Sequence, residues 1–568
     1  MIENFRDAAG VFFYGYFRRV RSMLFLKQDI RKLLGVMLPI LVAQISTGGV
    51  TFINTTMAGH AGADDLAGVS VGAGLFYPLL ASIVGLLMAG TPIMAQLLGE
   101  KKKEELPYVA RAGLAVGGVL SVLFAAAYFL LIDDLTEFMT LEESVAHIAR
   151  YYLLCMVGVV FFVSAVIPLR CVTDTAGSTS ISMKLFLAAP VINGALNYLF
   201  IYGNFGMPAL GGIGAGVAMM MTYGIILGLF LLVLMKSKTL PGKEIFSSLQ
   251  LRGKDIREYL TVGVPSGLSV FMEMFLFSLI IVFLARYGTE TLAAYQIADN
   301  FATMVFMVPV SCSMALTILV ASSVGAGDLE QGKRYKRAGF VVALIGASIT
   351  ASATVIGRDF IGNIYTNDAA VAAIAANFLI YCAGWQLFDA VSTPIQGILR
   401  GLKDTRVSFF LMVAAYWGCS FPMSLFLDYG LDLGAESYWL GLIFGVACSA
   451  GLMVLRLCYV ERVMAGRPVL TWKSILRFIR DGKLCPEIVP FAVLEAQNRA
   501  LLANTQKARA LIRAFAETEE KLSVLMQNIK QAEVDIYRET RTVLPIRLAL
   551  LTDLHLSILG HATRAYVP

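Results

Sequence analysis

Twelve long apolar stretches follow one another between residues 33 and 461, and they constrain the fold more than any other feature. Each is close to the roughly 20 residues that a helix needs to cross a hydrocarbon core about 30 Å thick. A backbone in lipid must satisfy its own hydrogen bonds, which leaves helices or closed barrels as spanning structures. Only 15% of the residues are charged and 57% are hydrophobic, whereas soluble domains carry about 25% charged residues. The sequence therefore predicts an all-α polytopic membrane protein.

Basic residues are concentrated on one side of these stretches. The loops after the even-numbered stretches hold nineteen Lys and Arg residues, and the opposite loops hold three. Loops rich in Lys and Arg stay in the cytoplasm. We therefore expect both chain termini on the cytoplasmic side.

The sequence also repeats itself at a constant offset, without gaps. Pro39 matches Pro265, and the triplet RAG at residues 111–113 recurs with the same spacing at residues 337–339. Each copy contains six stretches, an even number, so both copies share one orientation in the membrane. Two parallel six-helix repeats around a pseudo-two-fold axis are typical of transporters that carry a substrate between their halves.

The repeat and the loops divide the chain into five predicted segments. Residues 1–32 are expected to form a cytoplasmic amphipathic segment, with a basic tail that does not bind the membrane as the alternative. Two six-helix lobes cover residues 33–235 and 259–461, joined by a cytoplasmic linker at residues 236–258. Residues 462–568 are predicted to be a cytoplasmic helical extension, because apolar residues recur there at three-, four- and seven-residue steps. It serves oligomerisation, docking or regulation, or packs only on itself.

Glu273 lies near the middle of the seventh stretch. An ionisable side chain at that depth costs at least about 2.5 kcal/mol on insertion scales, so it marks a functional site by default. The alternative is a structural glutamate that a serine or a backbone group satisfies.

The tenth stretch has one polar face. Trp385, Asp389, Thr393, Gln396 and Arg400 recur every three or four residues, the spacing of one helical face. Asp389 is about three turns from Arg400, roughly 16 Å, too far for a direct ion pair. Asp389 therefore needs another partner or a proton, unless the polar face only packs helices together.

Two buried carboxylates in one half make a plausible cation site. Oxygen ligands suit a hard cation such as Na⁺, and removal from water favours the protonated form of a carboxyl group. A site that accepts either a cation from outside or a cationic substrate from inside performs antiport. The sequence does not choose between Na⁺ and H⁺.

Other polar side chains inside the apolar stretches are candidates for a substrate cavity. Asp299 near the outer end of the eighth stretch is as compatible with a solvated position as with the cavity, and paired asparagines more often join helices than bind ligands. The cavity candidates are Gln296, Asp299, Asn300, Trp385, Asn54, Asn193 and Asn197.

The sequence lacks the motifs of several classes of protein, which excludes those classes. Eight scattered cysteines without a CxxC pair and four unclustered histidines argue against a disulfide framework or a zinc site. No P-loop, HExxH motif or phosphorylatable Asp motif occurs, and GGIGAG at residues 211–216 opens an apolar helix without a preceding strand. An intramembrane enzyme would need a serine with lysine or histidine at depth. We therefore expect secondary transport, no enzyme activity and no cofactor.

Five sequence segments resemble those of one transporter family. PILVAQISTGGVTFINTTMAG, VPSGLSVFMEMFLFS, LAAYQIADNFATMVFMVP, WQLFDAVSTPIQGILRGLKDT and GAESYWLGLIFGV are similar to segments of the multidrug and toxic compound extrusion (MATE) transporters of the NorM-type branch. The resemblance covers about residues 30–460 and not the tail. It implies twelve helices in two lobes, an outward-opening V, and export of cationic drugs against Na⁺ or H⁺. It also implies that Glu273 and Asp389 form the cation site of the C-terminal lobe.

The chain departs from that family at two positions. The family usually has an aspartate in the first helix, and Asn54 stands there in FINTTMAG. An asparagine does not take up a proton at physiological pH, so coupling would rest on the C-terminal lobe. Asp299 stands where the NorM-type pattern usually has a small apolar residue.

These observations lead to one hypothesis and two alternatives. The hypothesis is a bacterial inner-membrane antiporter that exports small organic cations, with Glu273 and Asp389 as ligands of the coupling cation, metal ligands if that cation is Na⁺. Its partners are the bilayer and its substrates, with no nucleic acid, and the tail provides a contact for oligomerisation or docking. The alternatives are a flippase for lipid-linked precursors and a membrane anchor whose function lies in the tail.

Overall fold

The computed structural model describes residues 2–138, 142–248, 250–366 and 368–466, and only the backbone of residues 2–25 and 135–138. Within these ranges the chain forms helices and no strand, and 12 helices are long and apolar enough to cross a membrane. The prediction of an all-α fold with twelve spans is confirmed. The predicted C-terminal extension lies outside the described residues from residue 467 onward.

The spans are numbered α1–α12 in chain order. They are α1 Leu26–Ala61, α2 Ala63–Gly99, α3 Lys103–Asp134, α4 Glu143–Gly177, α5 Thr179–Phe200, α6 Gly212–Lys236, α7 Gly253–Tyr287, α8 Thr289–Gly325, α9 Leu329–Tyr365, α10 Ala369–Gly401, α11 Thr405–Gly430 and α12 Glu436–Met464.

The helix that contains α1 begins at Ile2 and continues without a break to Ala61. The predicted segment boundary at residue 32 therefore falls inside a helix. A short helix, Gly242–Phe246, lies between α6 and α7, within the predicted linker.

Not every span is a regular α-helix throughout, and α4, for example, ends in the π-helix Thr173–Gly177. α2 consists of the helices Ala63–Leu87 and Gly90–Gly99 with a turn between them. In α11 the segments Ala414–Ser420 and Phe426–Gly430 are π-helices. A π-helix closes hydrogen bonds five residues apart, which changes the direction of the side chains it carries, and such segments are frequent at functional sites.

The two halves, α1–α6 and α7–α12, approach closely at the end of the bundle that carries the Lys- and Arg-rich loops, called the basic end. A Cβ atom on Gly99 would lie 2.2 Å from the carbonyl oxygen of Ser322, and one on Gly325 would lie 2.0 Å from that of Gln96. The offset of the sequence repeat relates these two glycines. The Gln96 side chain also donates a hydrogen bond to the carbonyl of Gly401, at 3.0 Å. α2 and α8 therefore cross in a pseudo-symmetric way.

Further contacts join the halves elsewhere along the spans. Ser82 in α2 donates to the carbonyl of Gly267 in α7, at 3.1 Å. At the start of α1, Asp29 accepts a hydrogen bond from Gln331 at 3.0 Å and lies 3.8 Å from Arg334. These contacts join the two halves at two further places, the middle of α2 and the start of α1.

Candidate functional site

Glu273 lies in α7 and meets the π-helical segment of α11. The Tyr416 hydroxyl donates a hydrogen bond to Oε1 of Glu273, at 3.2 Å. The neighbouring Trp417 donates its indole N–H to the carbonyl of Met272, also at 3.2 Å. Both aromatic residues belong to the π-helix Ala414–Ser420. The irregular backbone of α11 therefore brings a hydroxyl to the intramembrane glutamate.

Asp389 lies in α10 and is 2% exposed. Thr393, one turn further along the same helix, donates its hydroxyl to Oδ1 of Asp389 at 2.6 Å. Oδ2 is buried without any hydrogen-bond partner. The expected partner of Asp389 is thus a threonine on its own helix, and it satisfies one oxygen of two. A buried carboxylate with an unsatisfied oxygen needs a proton or a cation.

The two carboxyl groups lie on helices that share α11 as a neighbour. α11 packs against both α7 and α10, and its Tyr416 reaches Glu273. We call Glu273, Asp389, Thr393 and Tyr416 the carboxylate cluster. Two like charges in a low-dielectric site favour neutralisation of at least one of them, which a proton or a monovalent cation can provide.

The oxygen atoms of this cluster fit a hard cation. Carboxylate and hydroxyl oxygens are the ligands that such ions prefer. In the described ranges no group of three or more His, Cys, Asp or Glu side chains is placed to hold a metal ion. The carboxylate ligands for a Na⁺ ion at this position would therefore be Glu273 and Asp389 alone.

Trp385 lies beside Asp389 in a small cavity between α8, α9 and α10. Its ring packs against Phe306 with 5.9 Å between the ring centroids. Its indole N–H and the side-chain oxygen of Gln386 are buried without partners, and both residues line the cavity together with Asp389 and Thr350. The space that the centre of a water molecule can reach is about 10 Å³. Trp385 is 5% exposed, so in this conformation it faces the interior of the second half.

The polar residues of α8 lie away from the carboxylate cluster. Gln296 and Asn300 are exposed and Asp299 is half-buried. Asn300 donates its side-chain amide to the carbonyl of Gln296, at 3.1 Å. Their amide and carboxylate groups are accessible to a ligand near the outer end of α8.

The asparagines of the first half form a buried chain across α1, α5 and α6. Asn197 donates to Oδ1 of Asn54 at 2.7 Å and to Oδ1 of Asn193 at 3.0 Å. Asn193 donates to the hydroxyl of Thr222 at 3.3 Å. All four side chains are at most 1% exposed, and we call them the asparagine cluster. Their burial and mutual hydrogen bonds are those expected of residues that join helices.

Two members of these clusters have no recognisable signal in the sequence. Thr222 is a single threonine in an apolar stretch, and its role depends on α5 lying next to α6. Tyr416 is one of 22 tyrosines in the chain, and it reaches Glu273 through a π-helix that a regular periodicity does not predict.

A family model and two close relatives match most of the chain. The model, described as MatE, matches residues 39–199 and 265–426. These two ranges begin at Pro39 and Pro265, the prolines that correspond in the repeat, which confirms the internal repeat. A probable multidrug resistance protein NorM from Halalkalibacterium halodurans is 36% identical over 444 residues, 77% of this chain and 96% of the relative. A protein of the same description from Bacillus subtilis is 35% identical over 437 residues, 77% of this chain and 97% of the relative.

Solved structures share the architecture. A mutant of the MATE transporter VcmN from Vibrio cholerae aligns with a TM-score of 0.70 over 77% of this chain and 98% of that chain. The sequence identity of this alignment is 18%, so the likeness shows the fold alone.

Proposed function

The chain belongs to the MatE family, as its resemblance to the NorM-type MATE transporters predicted, and we propose that it is a secondary antiporter that exports organic cations in exchange for Na⁺ or H⁺. The two NorM relatives, described as probable multidrug resistance proteins, support multidrug compounds as the substrate class. The observation that carries the proposal is the carboxylate cluster, in which the second oxygen of Asp389 is buried without a partner.

Antiport follows from the charge balance of this cluster. The buried carboxyl group of Asp389 and the half-buried one of Glu273 are costly to hold ionised, and a bound coupling cation removes much of that cost. A ligand shifts the equilibrium between two conformations by its difference in affinity for them. The cluster would be open to one side of the membrane at a time. A cation bound from that side would then favour the change of conformation after which the substrate-binding cleft opens to the opposite side.

A cationic substrate would approach the same half from the cleft between the repeats. The exposed amides of Gln296 and Asn300 and the half-buried carboxyl group of Asp299 are the groups of α8 that offer it hydrogen bonds and negative charge. The asparagine cluster takes no part in this scheme as a charge carrier, because its members are neutral.

The orientation and compartment belong to the same proposal. The basic loops after the even-numbered spans favour cytoplasmic termini, and the two NorM relatives are from bacteria. We propose a bacterial inner membrane, with no enzymatic reaction and no cofactor besides the coupling ion. The tail after residue 466 would act as an accessory contact.

Efflux from cells tests the roles of the two carboxyl groups. Glu273→Gln and Asp389→Asn, each made separately, should abolish ethidium efflux that depends on an ion gradient while the protein still reaches the membrane. The matched control is Glu436→Gln, since Glu436 accepts a hydrogen bond from Tyr381 at 2.6 Å at the other end of α10. Wild-type efflux in both cluster variants would contradict the role of the two carboxyl groups in cation coupling.

A further inference from the structure

α11 and α12 cross at two pairs of small residues. Gly441 and Gly445 in α12 are four residues apart, and they face Ser424 and Ser420 in α11 at the same spacing. A Cβ atom on Gly445 would lie 2.2 Å from the Cβ atom of Ser420, and one on Gly441 would lie 2.9 Å from the Cα atom of Ser424. The Ser420 hydroxyl also donates to the carbonyl of Gly441, at 2.8 Å. Small residues at this spacing allow two helices in a membrane to bring their backbones together.

Two cysteines stand beside this crossing, one on each helix. Cys419 directly precedes Ser420 in α11, and Cys448 follows Gly445 by three residues, slightly less than one turn of helix, in α12. Their thiols lie within hydrogen-bonding distance of each other, and both cysteines are free. We call Cys419 and Cys448 the thiol pair. Both side chains are short, so they meet because the glycines and serines hold the two backbones close together.

The thiol pair lies at a surface that lipid covers. α12 packs against α10 and α11, whereas α7, α8 and α9 pack against α1 or α2, so α12 lies on the side of the second half that faces away from the first. Both thiol residues are half-buried. Phe444, Gly451 and Leu455 recur with Cys448 at three- and four-residue steps, and all three are exposed. Cys448 therefore belongs to the exposed apolar face of its span.

The depth of the thiol pair restricts the oxidants that can reach it. Cys419 and Cys448 lie near the middle of the spans Thr405–Gly430 and Glu436–Met464. Charged molecules are costly to place at that depth of a bilayer. A lipid-soluble two-electron acceptor such as a quinone reaches the hydrocarbon core without that cost.

A disulfide between these two residues needs little rearrangement. Disulfides join cysteines whose Cα atoms are about 4.4–6.8 Å apart, a separation that closely crossing helices provide. In the reaction two S–H bonds break and one S–S bond forms. The two electrons and the two protons pass to the quinone, which becomes the quinol.

We propose that Cys419 and Cys448 are a redox modification site, which a quinone of the bilayer oxidises to a disulfide that slows transport. The effect on transport rests on the function proposed above. Cys419 belongs to the π-helix Ala414–Ser420, which brings Tyr416 to Glu273. A disulfide would fix this segment to α12 in one arrangement, and a transport cycle needs the second half to reach at least two conformations.

The first measurement is the number of free thiols in the full-length protein, in proteoliposomes with and without decylubiquinone. The chain has eight cysteines, and a maleimide label added after denaturation counts those that are still reduced. The quinone should remove two thiols, and mass spectrometry of the digested protein should show a peptide linked between Cys419 and Cys448. Dithiothreitol should restore both thiols. A wild type that keeps all its thiols, or that forms a disulfide elsewhere, would overturn the proposal.

Single replacements assign the reaction to the thiol pair. Cys448→Ser and Cys448→Ala should each prevent the loss of thiols, and two variants are made in case one of them does not fold. Cys458→Ser is the matched control, because Cys458 is an exposed cysteine ten residues further along α12. The control should still lose two thiols to the quinone. A Cys448→Ser protein that also loses two thiols refutes the pairing with Cys419.

Ethidium efflux from the same liposomes tests the effect on transport. In the wild type, oxidation should lower efflux at least about tenfold, because a covalent bond holds one conformation of an equilibrium that transport requires, and dithiothreitol should restore it. Cys448→Ser should transport equally with and without the quinone. Full efflux by the oxidised wild type, or inhibition that persists in Cys448→Ser, refutes the effect of the disulfide on transport.

The same measurements separate this proposal from the proposed function. A reduced wild type whose ethidium efflux responds to neither Na⁺ nor pH refutes cation-coupled export, and the thiol count still decides whether the disulfide forms. A wild type that exports ethidium in a cation-dependent way but keeps its thiols in the presence of the quinone refutes only the redox site.

Discussion

The asparagine cluster and the carboxylate cluster occupy opposite halves of a repeated fold. Hydrogen bonds join three helices in the asparagine cluster. In the carboxylate cluster one hydrogen bond joins α7 to α11 and another lies within α10. They differ in charge. The asparagine cluster consists of neutral amides and a hydroxyl group, and its two buried atoms without a partner, Nδ2 of Asn54 and Oδ1 of Asn197, are neutral. The carboxylate cluster contains two acids, and the buried oxygen of Asp389 without a partner belongs to an ionisable group. Only the acidic cluster depends on a proton or a cation to neutralise it.

Between the two repeats, the close helix contacts are preserved and the ionisable residues are not. Gly99 and Gly325 correspond across the repeat and make equivalent close contacts. At the same offset, Glu273 corresponds to Thr47 and Asp389 corresponds to Val163. Close helix crossings need small residues in both halves, whereas the two acids occur in one half only. The cation coupling proposed above therefore rests on the second half.

The largest loss of stability is expected at the glycines through which the two halves make equivalent contacts. Gly99→Val and Gly325→Val should each lower the free energy of unfolding by at least the roughly 1–3 kcal/mol typical of overpacking, because each new Cβ would meet a carbonyl oxygen. Thermal unfolding in detergent measures the change. Gly118→Val, whose Cβ meets nothing within 4 Å, is the control. A large difference between the two glycine variants would contradict the pseudo-symmetric crossing.

A smaller effect is expected from the asparagine cluster. Asn197→Leu leaves the side-chain oxygens of Asn54 and Asn193 without their donor, and an unsatisfied buried group costs about 1–3 kcal/mol. The unfolding temperature should fall while the half-saturating concentration of the coupling cation stays the same. A shifted half-saturating concentration would show that the first half also binds the cation. Asn204→Ala, in the loop after α5, controls for loss of an exposed amide.

The smallest effect is expected at the edge of the carboxylate cluster. Tyr416→Phe removes one long hydrogen bond to Glu273, of 3.2 Å, and an ordinary hydrogen bond contributes about 0.5–1.5 kcal/mol. The cation should bind more tightly, with a half-saturating concentration reduced by at most about tenfold. Tyr429→Phe, at the other end of α11, is the matched control. Weaker cation binding would instead identify the Tyr416 hydroxyl as a ligand.

The sequence was sufficient to predict the spans and the repeat and to identify the two acids as candidates, because each has a local signal. An apolar run, an offset or a charge at membrane depth can be recognised without knowing its neighbours. Tyr416 and Thr222 could not be predicted, since their roles depend on which helix faces meet.

The prediction for Trp385 illustrates the same limit. Its position on the polar face of α10 is compatible with a substrate cavity, and the structure encloses it in a small cavity beside Asp389. A helical face that is polar in sequence can turn toward the cleft or toward the interior of its own half. The residue spacing identifies the face but not the direction in which it points.

The most direct test of cation coupling through the second half is the cation flux that accompanies substrate export in proteoliposomes. Radioactive Na⁺ and a pH-sensitive dye are followed separately while a substrate gradient drives exchange. We predict coupled flux of one of these cations in the wild type and in Thr222→Val, which disturbs the asparagine cluster, and none in Asp389→Asn. Coupled flux that persists in Asp389→Asn, or that is lost in a folded Thr222→Val, would contradict coupling through the second half.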